Sequence, residues 1–374
     1  MTGEINSAAV LPAVGSDLVV ETRPIPMPGP NEVLIRAHVV AVNPVDKPRQ
    51  ALGFMVPTVP TVLGSDLAGT VVAVGSEVGD VLHVGDRVVT VSEGFVTGHI
   101  DHGAFQTYVV SPALTTAKLP DHISFQDGAT VSLVAMVAVL IFFDAFRFAL
   151  PDAKAATPTS SPPSVPLPPP GTIVLVWGGA SCVGSQIIQM AHLFGFTVYT
   201  TASTRHHARL RELGADVAVD YHEPDVAVQQ LVAAAQKDGN KAIEYAVDAV
   251  SIAGTTVPLV EKVVMATKAA AAAAASTTEV TAATTPRLLL TVPLPKNYAK
   301  IGGIDYQFVN GIDIWLRRQD LGRWLFHDNL TSWLAKKVIV PPLPRVVPGG
   351  LGGLQQALNE VKGVTGEKLV VELD

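Results

Sequence analysis

The chain has 374 residues, 48% of them hydrophobic and 16% charged, with a mean hydropathy of +0.36; a disordered polymer is excluded and two domains are expected. A net charge of −7 and a pI near 5.8 leave no basic face for nucleic acid. One cysteine, Cys182, excludes an internal disulfide and any multi-cysteine metal site, and it fits a reducing, cytoplasmic setting.

The opening MTGEINSAAVLPAVGSD lacks a basic segment followed by an apolar core, so no signal peptide is expected. Residues 1–125 read as β-rich. Val33–Val42 and Gly69–Val74 are short runs dense in β-branched residues between Asn, Pro, Gly and Asp breakers, as in a small barrel or sandwich. Ser124–Phe148 is long, apolar and nearly free of breakers, and reads as a buried helix. Its most apolar stretch, Val131–Phe143, is too short to span a bilayer, so no membrane contact is expected.

Ala153–Pro170 carries seven of the 28 prolines and reads as a linker or surface insert, within a Pro-rich segment set at 151–170. Strands then alternate with helices: strand Thr172–Trp177, helix Val183–Phe194, strand Thr197–Thr201, helix His206–Leu213, strand Ile243–Val250. That alternation predicts a parallel, doubly wound α/β sheet. Met265–Thr285, with alanine at 269–275, reads as a mobile Ala-rich loop because seven alanines are too few for an isolated helix. Gly366–Leu373 reads as a closing strand.

Between the first strand and helix of the α/β part lies Gly179-Ala180-Ser181-Cys182-Val183-Gly184. It has the outer glycines of a dinucleotide fingerprint, with serine at the middle position. Such a turn aims the amides of a helix N-terminus at a pyrophosphate, and the serine adds a hydroxyl donor. A ribose-binding acid belongs about 20 residues further on. Here Ser203, Thr204, Arg205 and His206 occupy that place and no carboxylate appears until Glu212, which favours NADP over NAD. His83, His99, Asp101 and His102 could suggest a metal, but with no thiolate among them a polar surface loop is the better reading, and no metal is expected.

These pieces together resemble the zinc-independent medium-chain dehydrogenase/reductase superfamily, and within it the fungal trans-acting enoyl reductases of polyketide biosynthesis. The resemblance runs through Ala41–Asp46, Leu63–Val71, Val84–Val88, Gly103–Phe105, the 178–184 loop, Leu213–Ala215 and Gly366–Val371. The Pro-rich insert also lies where fungal members have one. The resemblance implies a GroES-like catalytic domain (1–125 and 312–374) and a Rossmann domain (126–311), with nicotinamide and substrate meeting in the cleft between them. It places Ala180, Ser181, Cys182 and Val183 at the pyrophosphate, Ser203–His206 at a 2′-phosphate and Tyr221 on the adenine side. Thr291, Val292, Val364 and Thr365 then lie near the nicotinamide, and Val45, Asp46, Lys47 and Pro48 at the cleft floor.

Two departures from the family pattern stand out. The usual lysine two places after the N-P-x-D aspartate is Pro48, with Lys47 one place earlier, and the helix lining the cleft has Ala135-Met136 instead of a small residue and threonine. Lys47, Asn43 and Ser132 are the candidate catalytic donors, and Met136 the candidate pocket residue. The implied activity is NADPH-dependent reduction of a conjugated enoyl or enone group on a small or carrier-bound polyketide. The alternatives are a redox-neutral cyclase or isomerase on the same fold and a non-catalytic NADPH-binding partner of a synthase. Arg317, Arg318 and Arg323 could dock an acyl carrier but read better as a solvated helix face. Monomer and homodimer both remain open.

Overall fold

A computed structural model describes residues 5–151, 165–274 and 285–373. The chain forms two compact units, one made of the residues up to Met136 and those from Ile312 onward, the other of Val137–Gly311.

The first unit begins with β1 (Asn6–Leu11), β2 (Val19–Arg23), β3 (Glu32–Ala41), β4 (Thr61–Val62), β5 (Asp66–Val74), β6 (Arg87–Val91), β7 (Tyr108–Pro112) and β8 (Thr116–Lys118). β1 lies between β2 and β4 in a three-stranded sheet. β3 is the long strand of a second sheet and pairs antiparallel with both β5 and β7. Seven of its ten residues are buried, as in a strand covered on both faces, and Val33, Ile35, Val40, Leu67, Val88 and Phe105 form the core with the C-terminal helix Leu354–Glu360.

The second unit holds β9 (Ile173–Trp177), β10 (Thr197–Thr201), β11 (Val217–Val219), β12 (Tyr245–Asp248), β13 (Arg287–Leu290) and β14 (Asp305–Phe308). All pair in parallel, in the order β11-β10-β9-β12-β13-β14, which is the doubly wound arrangement. Every residue of β9 is buried, as a central strand covered on both faces requires. The chain then returns to the first unit with β15 (Leu343–Val346) and β16 (Glu367–Glu372), where β16 pairs antiparallel with β3.

Three expectations need correction. The alanine run is not a loop as far as it is described: Thr256–Ala274 is one helix of 19 residues. Its first half packs Val257, Val260, Val263 and Val264 into the core, and alanine, the best helix former, continues a helix already nucleated there. Residues 275–284 lie outside the described residues, as do 152–164 of the Pro-rich insert.

Ser124–Phe148 is also not one α-helix. It divides into Phe125–Ala129, Ser132–Leu140 and a π-helical turn Ile141–Ala145. The first break sits where the Thr130 hydroxyl donates to the carbonyls of Asp127 and Pro342. The whole helical run Phe125–Ala145 has 21 residues, long enough by length and composition to cross a membrane, contrary to the sequence reading. However, 83% of its apolar window is buried within the protein, as in a core helix.

Candidate active site

In the second unit, β9 leaves the sheet through Gly178 and enters the helix Cys182–Leu193. A Cβ on Gly179 would lie 2.1 Å from Thr200 Oγ1, and one on Gly184 would lie 2.4 Å from the Gly178 carbonyl oxygen. Both positions therefore require glycine, and the turn presses the helix start against β10. Ser181 caps this helix: its Oγ accepts from the Gly184 N–H at 2.9 Å and donates to the Gly178 carbonyl at 2.9 Å. The Ser181 hydroxyl is thus used inside the loop, and the extra ligand donor expected from it is already engaged. Ala180, Cys182 and Val183 are half-buried around the positive end of the helix.

Register places two further segments at the same edge, because Trp177 stands opposite both Thr201 and Asp248. Beyond β10, Ser203, Thr204, Arg205 and His206 come together with Tyr221, whose hydroxyl accepts from Ser203 Oγ at 3.3 Å. Arg205 Nε donates to His206 Nε2 at 3.1 Å. Burial, then Arg205 and His207, hold His206 below the ordinary imidazole range.

The Asp220 carboxylate is a member of this cluster that sequence reasoning missed. It accepts from the Thr204 N–H at 3.0 Å and the Thr204 hydroxyl at 2.5 Å. The Thr204 hydroxyl, with the N–H and ring of His222, holds its carboxyl well below the usual range. The available signal was its position just after β11, the strand beside β10.

Beyond β12, the buried Asp248 accepts from the N–H groups of Val250 (3.0 Å) and Ser251 (2.8 Å) and from the Thr256 hydroxyl (2.6 Å). Burial pushes its pKa up against these three bonds. Ser251 Oγ in turn accepts from the Thr291 N–H at 2.8 Å, and Val292 is exposed. β9 and β12 flank the point where strand order reverses, the place where doubly wound sheets bind ligands.

The first unit gathers its polar residues in the same way. Ala41 pairs with Asp66 and with Val370, and Asp66 pairs with Val91. The ends of β3 and β6, the start of β5 and Lys368 of β16 therefore meet. Asp66 is fully buried and accepts from Asn43 Nδ2 (2.9 Å), the Leu133 N–H (2.8 Å) and Lys368 Nζ (2.5 Å). Asp46, also buried, accepts from the Asn43 N–H at 2.9 Å and pairs with Arg49 at 3.4 Å. Burial drives both members of this pair toward their neutral forms, and their mutual attraction opposes it.

The other candidates are dispersed. Lys47 Nζ donates to Gln50 Oε1 (3.1 Å) and Asn359 Oδ1 (2.8 Å). Val45 and Pro48 are half-buried at the start of the helix Asp46–Leu52, and Met136 is wholly buried. The Ser132 hydroxyl is buried without a hydrogen-bond partner. Val364 packs on the core beside exposed Thr365.

Of the possible metal ligands singled out in the sequence, His102 is drawn between two acids. Its Nε2 lies 3.2 Å from Glu32 and its Nδ1 3.7 Å from Glu93. The three ligand atoms lie within 4.8 Å of one another, a grouping that could hold an ion. Burial and the neighbouring Glu32 push Glu93 up to about 7, so near neutrality it is as much a hydrogen-bond donor as an anion.

Residues 29–121 match the alcohol dehydrogenase GroES-like domain. The trans-enoyl reductase tndF of Aspergillus flavipes is 34% identical over 380 residues, covering 98% of this chain and 99% of its own. The trans-enoyl reductase tazE of Aspergillus terreus is 40% identical over 243 residues, covering 64% of this chain and 75% of its own. Among solved structures, a mycobacterial protein complexed with NADPH aligns with a TM-score of 0.69 at 22% identity, covering 99% of this chain and 100% of that one. On this full-length similarity, the chain belongs to the GroES-like medium-chain dehydrogenase/reductase superfamily, in the company of fungal proteins named trans-enoyl reductases.

Proposed function

We propose that the protein is an NADPH-dependent reductase of a conjugated enoyl or enone group on a polyketide or related intermediate, free or carrier-bound. In this reading the unit made of the residues up to 136 and from 312 is the catalytic domain and that of 137–311 the nucleotide domain. The observation that carries it is the tight turn after β9, where only glycine fits at 179 and 184, beside a cluster holding Ser203, Arg205 and Tyr221. These residues fit a dinucleotide: the first turn of the Cys182–Leu193 helix would hold the pyrophosphate, and Arg205 with Ser203 the 2′-phosphate. When bound, the nicotinamide supplies a hydride to the carbon β to the carbonyl. Thr291 and Ser251, tied to each other and to Asp248, would shape the floor near the ring. Within the first unit, the buried Ser132 hydroxyl has no hydrogen-bond partner, whereas Asn43 and Lys47 are largely occupied by protein partners.

A second reading, redox-neutral cyclisation or isomerisation, is favoured by one observation. Lys47 is bound to Gln50 and Asn359, and position 48 is a proline.

The test is calorimetry with NADPH and NADH, followed by product mass after incubation with an enoyl thioester, with and without a synthase partner. The expected result is micromolar NADPH binding that Arg205→Ala weakens more than it weakens NADH binding, and a product heavier by two hydrogens. No NADPH binding would refute the reductase, and a product of unchanged mass would support the second reading.

A further inference from the structure

Apart from the network around Asp66, the first unit brings Glu93 and His102, from the connection between β6 and β7, against Glu32 at the start of β3. Glu93 precedes the short helix Gly94–Thr97, and His102 ends the turn Ile100–His102. Glycine allows the two to meet: a Cβ on Gly94 would lie 2.7 Å from the His102 carbonyl oxygen. Glu32 is fixed separately, because its Oε2 accepts from the Gly29 N–H at 2.6 Å while Oε1 faces the His102 ring. The side chains of His102, Glu93 and Glu32 are 14%, 18% and 21% exposed, so an ion can reach them from solvent.

What this cluster lacks is positive charge. Among the described residues, neither glutamate has a lysine or arginine within 4.0 Å, and no N–H or O–H reaches the Glu93 carboxylate at hydrogen-bond distance. Thr97 Oγ1 stands 2.9 Å from His102 Nδ1 and has the Glu93 backbone carbonyl at 3.3 Å for its own hydrogen. It can thus accept from Nδ1–H, the outer bond that orients a metal-bound imidazole, and leave Nε2 with its lone pair. Nε2 and Glu32 Oε1, 3.2 Å apart, are then two acceptors facing one another. Two ligand atoms of a tetrahedral zinc ion, each about 2.0 Å from the metal, stand about 3.3 Å apart. A Glu93 oxygen lies with them inside a 4.8 Å span, and no donor holds its carboxylate away. Two carboxylates and a neutral imidazole carry a double negative charge, which one divalent ion cancels. A proton relieves one contact at a time. The imidazole selects zinc over magnesium, which keeps to oxygen ligands and water.

We propose that Glu32, Glu93 and His102 are the protein ligands of a zinc ion whose coordination water completes. One ligand belongs to β3 and two to the β6–β7 connection, so the ion fastens that connection to the sheet.

The test titrates the full chain, stripped with EDTA and desalted, with zinc chloride by calorimetry and without nucleotide. The expected result is one zinc per chain with a Kd of about 1 μM or below. Glu93→Gln and His102→Gln should each weaken binding at least about tenfold. His83→Ala removes an exposed histidine that faces Asp86 instead, and should bind as wild type. Saturating zinc should raise the thermal midpoint of wild type and leave that of Glu93→Gln nearly unchanged. With EDTA present, the two proteins differ through Glu93 protonation alone, so the effect of zinc is the difference between the two conditions. Cobalt(II) in place of zinc should give visible absorption bands that both ligand variants lose. If His102→Gln fails to fold, Glu93→Gln, which keeps the size of the side chain, decides.

No stoichiometric zinc binding by wild type, or wild-type affinity in Glu93→Gln, would overturn the site. So would loss of binding in His83→Ala, which would place the ion elsewhere. Binding without a rise in the wild-type midpoint would overturn the fastening role.

Discussion

Replacing Lys368 by methionine tests the central claim about the first unit, that a buried ion pair joins its two sequence-distant parts. Lys368 and Asp66 are 302 positions apart, and their side chains are 3% and 0% exposed. Methionine nearly matches the lysine stem in volume, so the packing change is small and the lost charge dominates. In the variant Asp66 would keep two donors, Asn43 Nδ2 and the Leu133 N–H, but no cation within contact distance. The Thr130 carbonyl would also lose its 3.3 Å bond from Nζ. Breaking one side of a buried pair costs about 3–5 kcal/mol. With a typical slope of about 2–3 kcal/mol per molar, the urea midpoint should fall by roughly 1–2 M.

Tryptophan fluorescence is a suitable probe because Trp315, Trp324 and Trp333 lie in this unit and only Trp177 in the other. Adding Asp66→Asn to Lys368→Met should recover part of the loss, since an amide needs no counter-cation, and the coupling in the cycle should exceed about 1 kcal/mol. The exposed Lys262–Asp225 pair, at 3.3 Å, is the control, and Lys262→Ala should cost under about 1 kcal/mol. A Lys368→Met midpoint no lower than that of Lys262→Ala would refute the reasoning.

Gly179→Ala should weaken dinucleotide binding more than tenfold and cost about 1–3 kcal/mol, because the new methyl would displace Thr200 Oγ1 from the Val176 carbonyl; paired calorimetry and urea melts measure both effects. Glu93→Gln should raise the thermal midpoint at pH 8 and leave it nearly unchanged near pH 4. The native pKa of about 7 lies above the unfolded value of 4.5, so the unfolded chain releases the proton first and native stability falls as pH rises between the two. His102, held below 6.5 mainly by burial, acts in the opposite sense and loses stability as pH falls, so the comparison at pH 8, where the ring is neutral, reports on Glu93.

Local features of the fold were legible in the sequence, and long-range ones were not. The five apolar residues of β9, the glycines after it and the helix that follows all lie within about twenty positions, and strand and helix fall within one residue of their expected bounds. The alanine run misled because its helix is nucleated by valines ahead of it that pack on the core, a tertiary contribution that no window over the alanines contains. Asp220 escaped notice for a related reason. Its hydrogen bonds to Thr204 depend on β11 lying parallel beside β10, which strand patterns alone do not specify.

The same distinction governs the choice of a cation in the first unit. The N-P-x-D motif directs attention to Lys47 because motif position is all that a sequence offers. In the folded unit, three cations lie in or beside that region, and their partners differentiate them. Lys368 is fixed on a buried carboxylate, and Lys47 bridges Gln50 and Asn359. Arg49 is buried with one carboxylate at 3.4 Å and a donor still unmet. A cation serves a substrate oxygen only where the protein has not already supplied its acceptors, so unmet donors are a better guide here than position in the motif. By that criterion, the one-residue displacement of lysine to position 47 hands it to two protein acceptors, Gln50 and Asn359, while the buried carboxylate of Asp66 is met from the far end of the chain by Lys368.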